Sequence, residues 1–296
     1  MANLKEIRTR IASVKSTQKI TSAMKMVSAA KLRRAQSAIL KLRPYSKKLN
    51  EILNNINSEN IDNEKNNENP LAEIREKNNT IILLISSNKG LCGGFNNAII
   101  KQSELLLRTE YANAHKEGHV KFITIGKRVS DYVRTKKYHS LGTYDHLTER
   151  CSFDKVAKLA EELMATFLNK NADKIVIVYN EFKNAGTQIL SIEQYLPIVS
   201  TQSTQKNMPT TDYIFEPSKQ EIYEIVIPKI MKLRLYKCIL DSIASEHGAR
   251  MTAMHKATEN ADELIKDLNL TYNKVRQAAI TNEIIEIVGG ADALGG

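Results

Sequence analysis

The strongest constraint on what this chain can fold into is a helix-patterned run of about 70 residues near its C-terminus, from Ser218 to Val288. Ser218 and Glu221 stand in the S-x-x-E spacing of a capping box, which satisfies two orphan amides together at a helix start. Gly289-Gly290 follow the run, and paired glycines that reach positive φ without strain predict its end. At a rise of roughly 1.5 Å per residue such a helix is about 105 Å long, more than one small domain can bury. It therefore needs a partner helix, and beyond that a partner protein. Its apolar positions, Ile222, Val226, Leu233, Tyr236, Leu240, Ile243, His247, Met254, Ala257, Ala261, Leu264, Leu268, Val275, Ala278 and Ile285, recur at threes, fours or their sum and predict a coiled-coil seam. Pro228 removes one ladder bond and predicts a bend near the start.

The partner is found at the other end of the chain. From Leu4 the apolar residues fall at Ile7, Ile11 and Val14, and again at Leu32, Ala35, Ile39, Leu42, Leu49, Leu53 and Ile56. Between these two groups the same register passes through Gln18, Thr21, Lys25 and Ser28. Ile20, Ala23, Met24 and Val27 form an apolar face rotated away from the seam. Such an interrupted heptad resembles a coiled coil with a local change of winding, and an ordinary amphipathic helix is the plainer alternative. Pro44 predicts a kink or an interruption. Two heptad helices at opposite ends of one chain are most simply read as an intramolecular antiparallel coiled coil.

Charge separates the two helices. Residues 1–50 carry thirteen Lys and Arg against Glu6 alone, so their balance of +12 exceeds the +10 of the whole chain, while 218–290 are neutral. A field concentrated on one element steers association with an acidic partner, whether phosphate, anionic lipid or a carboxylate-rich protein surface.

Between the helices the pattern changes twice. The asparagine-rich stretch 54–79 has no sustained period and reads as a mobile linker with at most a short helical turn. Then short β-branched runs, Thr80 to Ser86, Lys121 to Gly126 and Lys174 to Tyr179, alternate with helical patterns at 95–116, 127–137 and 152–170, ahead of a strand near Thr187 to Tyr195. Nearly continuous apolar strands alternating with helices predict a parallel sheet covered on both faces. The expected organisation is an α/β chain: an N-terminal coiled-coil helix over 1–56, a linker over 57–79, a Rossmann-like domain over 80–200, a loop over 201–217 and a C-terminal coiled-coil helix over 218–290.

Candidate chemistry is thin. Ser87-Asn-Lys-Gly-Leu-Cys-Gly-Gly-Phe95 follows the first strand, where phosphate loops sit, yet it matches neither GxGxxG nor GxxxxGK[ST]. A structural turn is the favoured reading. Gly126-Lys127 is a weaker case of the same kind. The six histidines offer no paired metal spacing, and His247 falls on the seam as a packing residue. Ser245-Glu246-His247 is a triad only in order, because adjacent helical residues point in different directions. No catalytic constellation, metal set or cofactor site is expected. Cys92, Cys151 and Cys238 lack CxxC spacing and read as packing residues in a reduced compartment. No apolar run is long enough to span a membrane, and the first fifteen residues lack the apolar core of a secretory signal.

Four motifs then resemble one family. They are Ile7-Arg-x-Arg-Ile-Ala-Ser-Val14 with Thr17-Gln-Lys-Ile-Thr-x-Ala-Met-Lys-Met-Val27 and Ala30-Lys-Leu-Arg33; Gly90-Leu-Cys-Gly-Gly-Phe-Asn96; Ala244-Ser-Glu-His-Gly-Ala-Arg-Met-x-Ala-Met254; and Tyr272-Asn-Lys-Val-Arg-Gln-Ala-Ala-Ile-Thr-Asn-Glu-Ile284. Together they resemble the gamma subunit of F-type ATP synthase, bacterial type. The resemblance implies a central rotor shaft within a ring of alpha and beta subunits, with its α/β domain toward the epsilon subunit and the membrane c ring. It implies catalysis on the beta subunits and none on this chain, coupling of proton flow to ATP synthesis, and a place at the cytoplasmic face of the bacterial plasma membrane. It further implies alpha or beta contacts at Met24, Lys25, Lys31, Arg33, Arg34, Arg250, Arg276, Gln277, Thr281 and Glu283, and a foot facing the c ring and epsilon at Tyr213, Phe215 and Glu216. The stretch 54–69 departs from the family pattern, so no contacts are carried over there, and no regulatory cysteine pair is present. Two other classes compete. A basic helical binder of nucleic acid or anionic membrane explains residues 1–50 but not the neutral helix, and a nucleotide-using α/β enzyme explains the central turn but not two long helices.

Overall fold

The computed structural model describes residues 4–58, 70–75, 79–149, 151–198 and 219–294, with side chains described except at 50–58, 219–224 and 291–294. Ser218 of the expected helix start, the side chains of Glu221, Ile222, Leu53 and Ile56, most of the linker and the foot residues Tyr213, Phe215 and Glu216 thus lie outside what is described. The chain divides into two compact units, drawn from residues 29–249 and from residues 1–28 with 250–296. Helices α1 (Leu4–Ser58) and α6 (Lys219–Leu294) contribute to both.

The larger unit is built on a five-stranded sheet in the order β3-β2-β1-β4-β5, where β1 is Thr80–Ile85, β2 Val120–Ile125, β3 Ser140–Thr143, β4 Lys174–Asn184 and β5 Thr187–Leu196. The first four strands are parallel and β5 returns antiparallel to β4. Successive side chains of a strand face opposite ways, and this sheet uses both faces. Ile81, Leu83, Ile85, Ile175, Ile177 and Tyr179 enter one core with α5 (Phe153–Leu168) and residues 227–239 of α6. Ile82, Leu84, Phe122, Val176 and Val178 enter a second with α2 (Phe95–Arg108), α3 (Ala112–Lys116) and α4 (Lys127–Thr135). Burial on both sides is what the continuous apolar runs predicted.

Three local features depart from the sequence pattern. The single helix expected over 95–116 is two, separated at Thr109–Tyr111, where Tyr111 drops into the second core and its amide bonds the Leu106 carbonyl at 2.9 Å. Strand β3 was not anticipated, because Ser140-Leu-Gly-Thr143 is short, mostly exposed and has no apolar run. The β4–β5 hairpin is closed by Asn184, whose Oδ1 accepts from the Gly186 and Thr187 amides at 3.0 and 2.7 Å. Gly126, between β2 and α4, has φ of 102°, and a Cβ there would stand 2.3 Å from the Ser86 carbonyl oxygen, so no other residue fits.

In the smaller unit α1 and α6 pair in opposite directions. Gln18, Thr21 and Lys25 meet Asp262, Thr258 and His255 in turn, rising along one helix as they fall along the other. On α1, Leu4, Ile7, Ile11, Val14, Gln18, Thr21, Lys25 and Ser28 are all buried or half-buried, as the heptad reading predicts, and Leu32, Ala35 and Ile39 continue the pattern in the larger unit. On α6 the expected positions Val226, Leu233, Tyr236, Leu240, Ile243, His247, Met254, Ala257, Ala261, Leu268 and Val275 are buried or half-buried, but Leu264, Ala278 and Ile285 are exposed. Beside the first two of these, Ile265 and Ala279 are half-buried instead, an error of one residue.

Helix α1 ends within two residues of the expected boundary, whereas α6 does not stop where the sequence suggested. Pro44 lies inside α1 without interrupting it. The carbonyl it deprives of a ladder bond is that of Leu40, whose side chain is exposed. Pro228 likewise lies inside α6, and α6 runs through Gly289-Gly290 to Leu294. Glycine costs only about 1 kcal/mol in a helix, and Ala-Asp-Ala-Leu follow at once.

Candidate functional site

The glycine turn is the natural first candidate, and the side chains of Ser87, Asn88 and Asn96 are taken up by bonds within the turn and to its neighbours. Asn96 Oδ1 accepts from the Ser87 amide at 3.1 Å and the Ser87 hydroxyl at 3.0 Å, while Asn96 Nδ2 lies 3.1 Å from Cys92 Sγ. Asn180 Nδ2 donates to the Phe95 carbonyl at 3.2 Å. These bonds tie β1, β4 and the start of α2 together at the C-terminal end of the sheet, where a doubly wound fold would place a ligand. The turn is a structural clasp. At Gly126, the Ser86 hydroxyl accepts from the Val129 amide at 3.2 Å and Asn88 Oδ1 from the Lys127 amide at 3.0 Å. The start of α4 is thereby capped from within.

The stretch Asp241 to Arg250 of α6 is unusual in burying six polar side chains: Asp241, Ser242, Ser245, Glu246, His247 and Arg250. Ser245 Oγ has no hydrogen-bond partner, so Ser245-Glu246-His247 assembles no triad. His247 is packed on the buried side, as the seam predicts. Gly248 lets the hairpin approach closely, since a Cβ there would lie 3.1 Å from the Ala185 carbonyl oxygen. Burial, with Glu181 and Glu193 adding to it, pushes the Asp241 carboxyl up to about 6 against the pull of Lys237 and Arg43. Burial also pushes the Cys151 and Cys238 thiols up to about 12, which leaves them unreactive near neutral pH. Among the described residues no three His, Cys, Asp or Glu side chains form a metal set, and no helix is long and apolar enough to cross a membrane.

What the chain does expose is helix surface. On α1, Lys31, Arg33 and Arg34 are exposed, and so are Ile20, Met26 and Val27 on the face turned from the seam; Met24 and Lys25 are half-buried. On α6, Arg276, Gln277, Thr281 and Glu283 are exposed, with the Thr281 hydroxyl donating back to the Gln277 carbonyl at 2.9 Å. Interleaved with them are Ile280, Ile284, Ile285, Ile287 and Val288, the last four more than half exposed. Five large aliphatic residues bared within nine positions form a patch that an isolated chain has no reason to keep. Sequence reasoning missed this patch because it placed Ile285 on the seam; the signal was the crowding of isoleucines at spacings no single seam accommodates. Arg250 differs from the other expected contacts, being 7 % exposed and packed within the chain. The expected contact residues thus divide, with Lys31, Arg33 and Arg34 in the larger unit and the remainder in the smaller.

Comparison with known proteins gives one answer at every level. The family described as ATP synthase matches residues 3–294. The chain is 52% identical over 296 residues to the ATP synthase gamma chain of Christiangramia forsetii, covering all of both chains. It is 49% identical to that of Cytophaga hutchinsonii, covering 99% of each. Among solved structures it resembles a chain of the Euglena gracilis mitochondrial ATP synthase in rotational state 3, with TM-score 0.67, 20% identity and coverage of 98% and 94%. A chain of the rotor of the same enzyme in rotational state 1 gives 0.63, 18% identity and coverage of 94% and 98%. One from the central stalk and c ring of the Tetrahymena thermophila enzyme gives 0.56, 20% identity and coverage of 80% and 99%. These last three establish likeness of fold.

Proposed function

Since the chain belongs to the ATP synthase gamma-chain family, we propose that it is the central-stalk rotor subunit of an F-type ATP synthase, working with alpha and beta subunits, epsilon and a c ring. The observation that carries this reading is the exposed end of α6, where isoleucines alternate with Arg276, Gln277, Thr281 and Glu283. A ring of subunits around that end covers the apolar residues and engages the polar ones. The exposed cations Lys31, Arg33 and Arg34 suit an acidic surface of the same ring, and Met24 and Lys25 are assigned to that contact too. Arg250 supports the neighbouring turns from within, and Tyr213, Phe215 and Glu216 are assigned to the foot facing epsilon and the c ring.

On this reading the chain performs no chemistry of its own. Nucleotide is turned over on the ring, and the shaft makes the ring's sites inequivalent. Each rotor angle must favour one conformation of each neighbour, because only differential contact shifts such an equilibrium. The unequal faces of the paired helices, one strongly basic and the other neutral, supply that difference. The α/β unit is a rigid insert between the helices, on the segment boundaries given above. The complex stands at the cytoplasmic face of a bacterial plasma membrane, this chain reaching the bilayer only through its partners. The relatives reported above give no support to a nucleic-acid or membrane binder.

Reconstitution with alpha and beta subunits tests the reading. We expect no ATP turnover by the chain alone and rotary turnover only when it is present; equal rotary activity without it ends the proposal. Replacing Arg276 and Gln277 together with Ala is expected to leave the chain's unfolding curve within about 0.5 kcal/mol of the parent, as for exposed positions, and to impair assembly or coupled turnover. Unimpaired assembly and turnover remove their assigned role.

A further inference from the structure

The seam between α1 and α6 is crossed by three polar rungs in succession. Gln18 Nε2 donates to Asp262 Oδ1 at 2.7 Å, the Thr21 and Thr258 hydroxyls meet at 2.8 Å, and Lys25 Nζ lies 3.2 Å from His255 Nδ1. The third rung differs in chemistry from the other two. A lysine ammonium has donors and no acceptor, so the contact requires Nδ1 of His255 to accept, and the neutral ring must then carry its proton on Nε2. That nitrogen faces Glu259 Oε1, one turn along α6, at 3.5 Å. The ring is therefore set by two partners, a cation from the opposite helix at one nitrogen and a carboxylate from its own helix at the other. Lys25 on α1 and Glu259 on α6 are the charged groups that face it, and Lys256 is its sequence neighbour. Asp262, a further turn along α6, is occupied by Gln18.

Protonation of the ring cannot preserve this arrangement. An imidazolium carries N–H at both nitrogens, so Nδ1 loses the lone pair that Lys25 uses and two positive groups are left in direct contact. The Nε2 side is strengthened over the same step, since the charged ring pairs with Glu259. His255 thereby turns from a bridge between helices into a partner of its own helix. The rungs at Thr21 and Gln18 hold no group that gains positive charge in this way. We propose that His255 is a proton-operated latch of the paired helices: neutral, it ties α6 to Lys25 of α1, and protonated, it releases α1 while staying bound to Glu259. The inference stands on the rung's geometry and does not depend on the rotor reading.

The test uses the full-length chain with isotope-labelled histidine rings, the His255 signals being assigned by their loss in His255→Gln. Between pH 8 and pH 5, the range in which imidazoles ordinarily titrate, nitrogen spectra report tautomer and charge. At pH 8 the expected state is an unprotonated Nδ1 and a protonated Nε2. Lys25→Met should let the tautomers mix, because the donor that makes Nδ1 the acceptor is gone. Amide exchange over residues 22–28, corrected for intrinsic chemistry, is expected to quicken severalfold on acidification in the parent and to lose that response in His255→Gln. A ring protonated on Nδ1 at pH 8, a tautomer ratio unmoved by Lys25→Met, or an exchange response that survives in His255→Gln overturns the proposal. All the changed positions are at least half-exposed or on the rim of the seam, so the variants keep the fold, and parent-like circular dichroism verifies this.

Discussion

Two stretches of α6 invite comparison because they share a helix and little else. From Ile227 to His247, in the larger unit, the helix is buried on most of its circumference, with Met231, Leu235, Cys238, Ile239, Ala244 and Ser245 at 2 % exposure or less. From Ile280 to Val288, in the smaller unit, isoleucine is just as abundant but no described residue covers it. Apolar content therefore does not separate the stretch that stabilises this chain from the stretch proposed to meet a partner. Surroundings do: the first stretch lies against α5 and the sheet, while the second is left exposed among the described residues.

The sharpest way to break the contrast is to shorten one large side chain in each stretch. Leu235 is fully buried within the first core, and Leu235→Ala is expected to cost about 2–5 kcal/mol by lost burial and an unfilled cavity. Ile284 is 54% exposed, and Ile284→Ala should change stability by no more than about 0.5 kcal/mol. Denaturant unfolding measures both. The ranking should invert in the assembled enzyme, where Ile284→Ala weakens assembly or coupling. If Ile284→Ala destabilises the isolated chain as much as Leu235→Ala does, the comparison between the stretches is wrong.

Asp241 sharpens the same contrast from the polar side, as an acid inside the stabilising stretch. Its folded-state carboxyl titrates at about 6, raised by burial from an ordinary 3.8. The folded state therefore holds the proton more tightly than the unfolded state, and stability falls as pH rises between those two values. Asp241→Asn removes the charge while keeping the shape. It is expected to stabilise the chain at pH 7.5 by about 1–3 kcal/mol, in line with the size of the shift, and to be neutral at pH 4. Unfolding curves at the two pH values decide; a variant destabilised at pH 7.5 would mean that Lys237 and Arg43 outweigh burial.

How far these features are legible in the sequence follows from the same contrast. The seam of α1 could be read position by position, because one face of it is buried and the 3-4 spacing records that face. The seam of α6 was misread at Leu264, Ala278 and Ile285, since residues such as Leu264 and Ile265 are both apolar and adjacent, and only the facing helix decides which turns inward. The two cores were legible as β-branched runs, whereas β3, lacking any apolar face, left no pattern to find. The expected stop at Gly289-Gly290 failed because a glycine permits a cap without compelling one. Proposed contact residues such as Arg276 and Gln277 came only through family motifs. An exposed polar residue carries no periodicity of its own, and a partner's surface is not written in the chain that meets it.

The smallest expected effect concerns how the paired helices are held where apolar packing lapses. Thr21 and Thr258 share a hydroxyl contact across the seam, but each also bonds its own helix, Thr21 to the Gln18 carbonyl at 3.0 Å and Thr258 to the Met254 carbonyl at 2.8 Å. Removing one hydroxyl therefore leaves its partner satisfied, and the usual penalty for an orphaned buried group, about 1–3 kcal/mol, does not apply. Thr21→Val alone is expected to cost less than about 1 kcal/mol, and Thr21→Val with Thr258→Val to be neutral or slightly stabilising, since two apolar groups of like shape then replace two polar ones. The double-variant cycle isolates the pair's coupling. A coupling well above that of one neutral hydrogen bond would show that this rung holds the helices together, making the smaller unit resemble the larger in depending on a buried interaction. A coupling near zero leaves the rung as a device for matching polar to polar across the seam, with Ile7, Met254 and Ala261 on the same faces supplying the attraction.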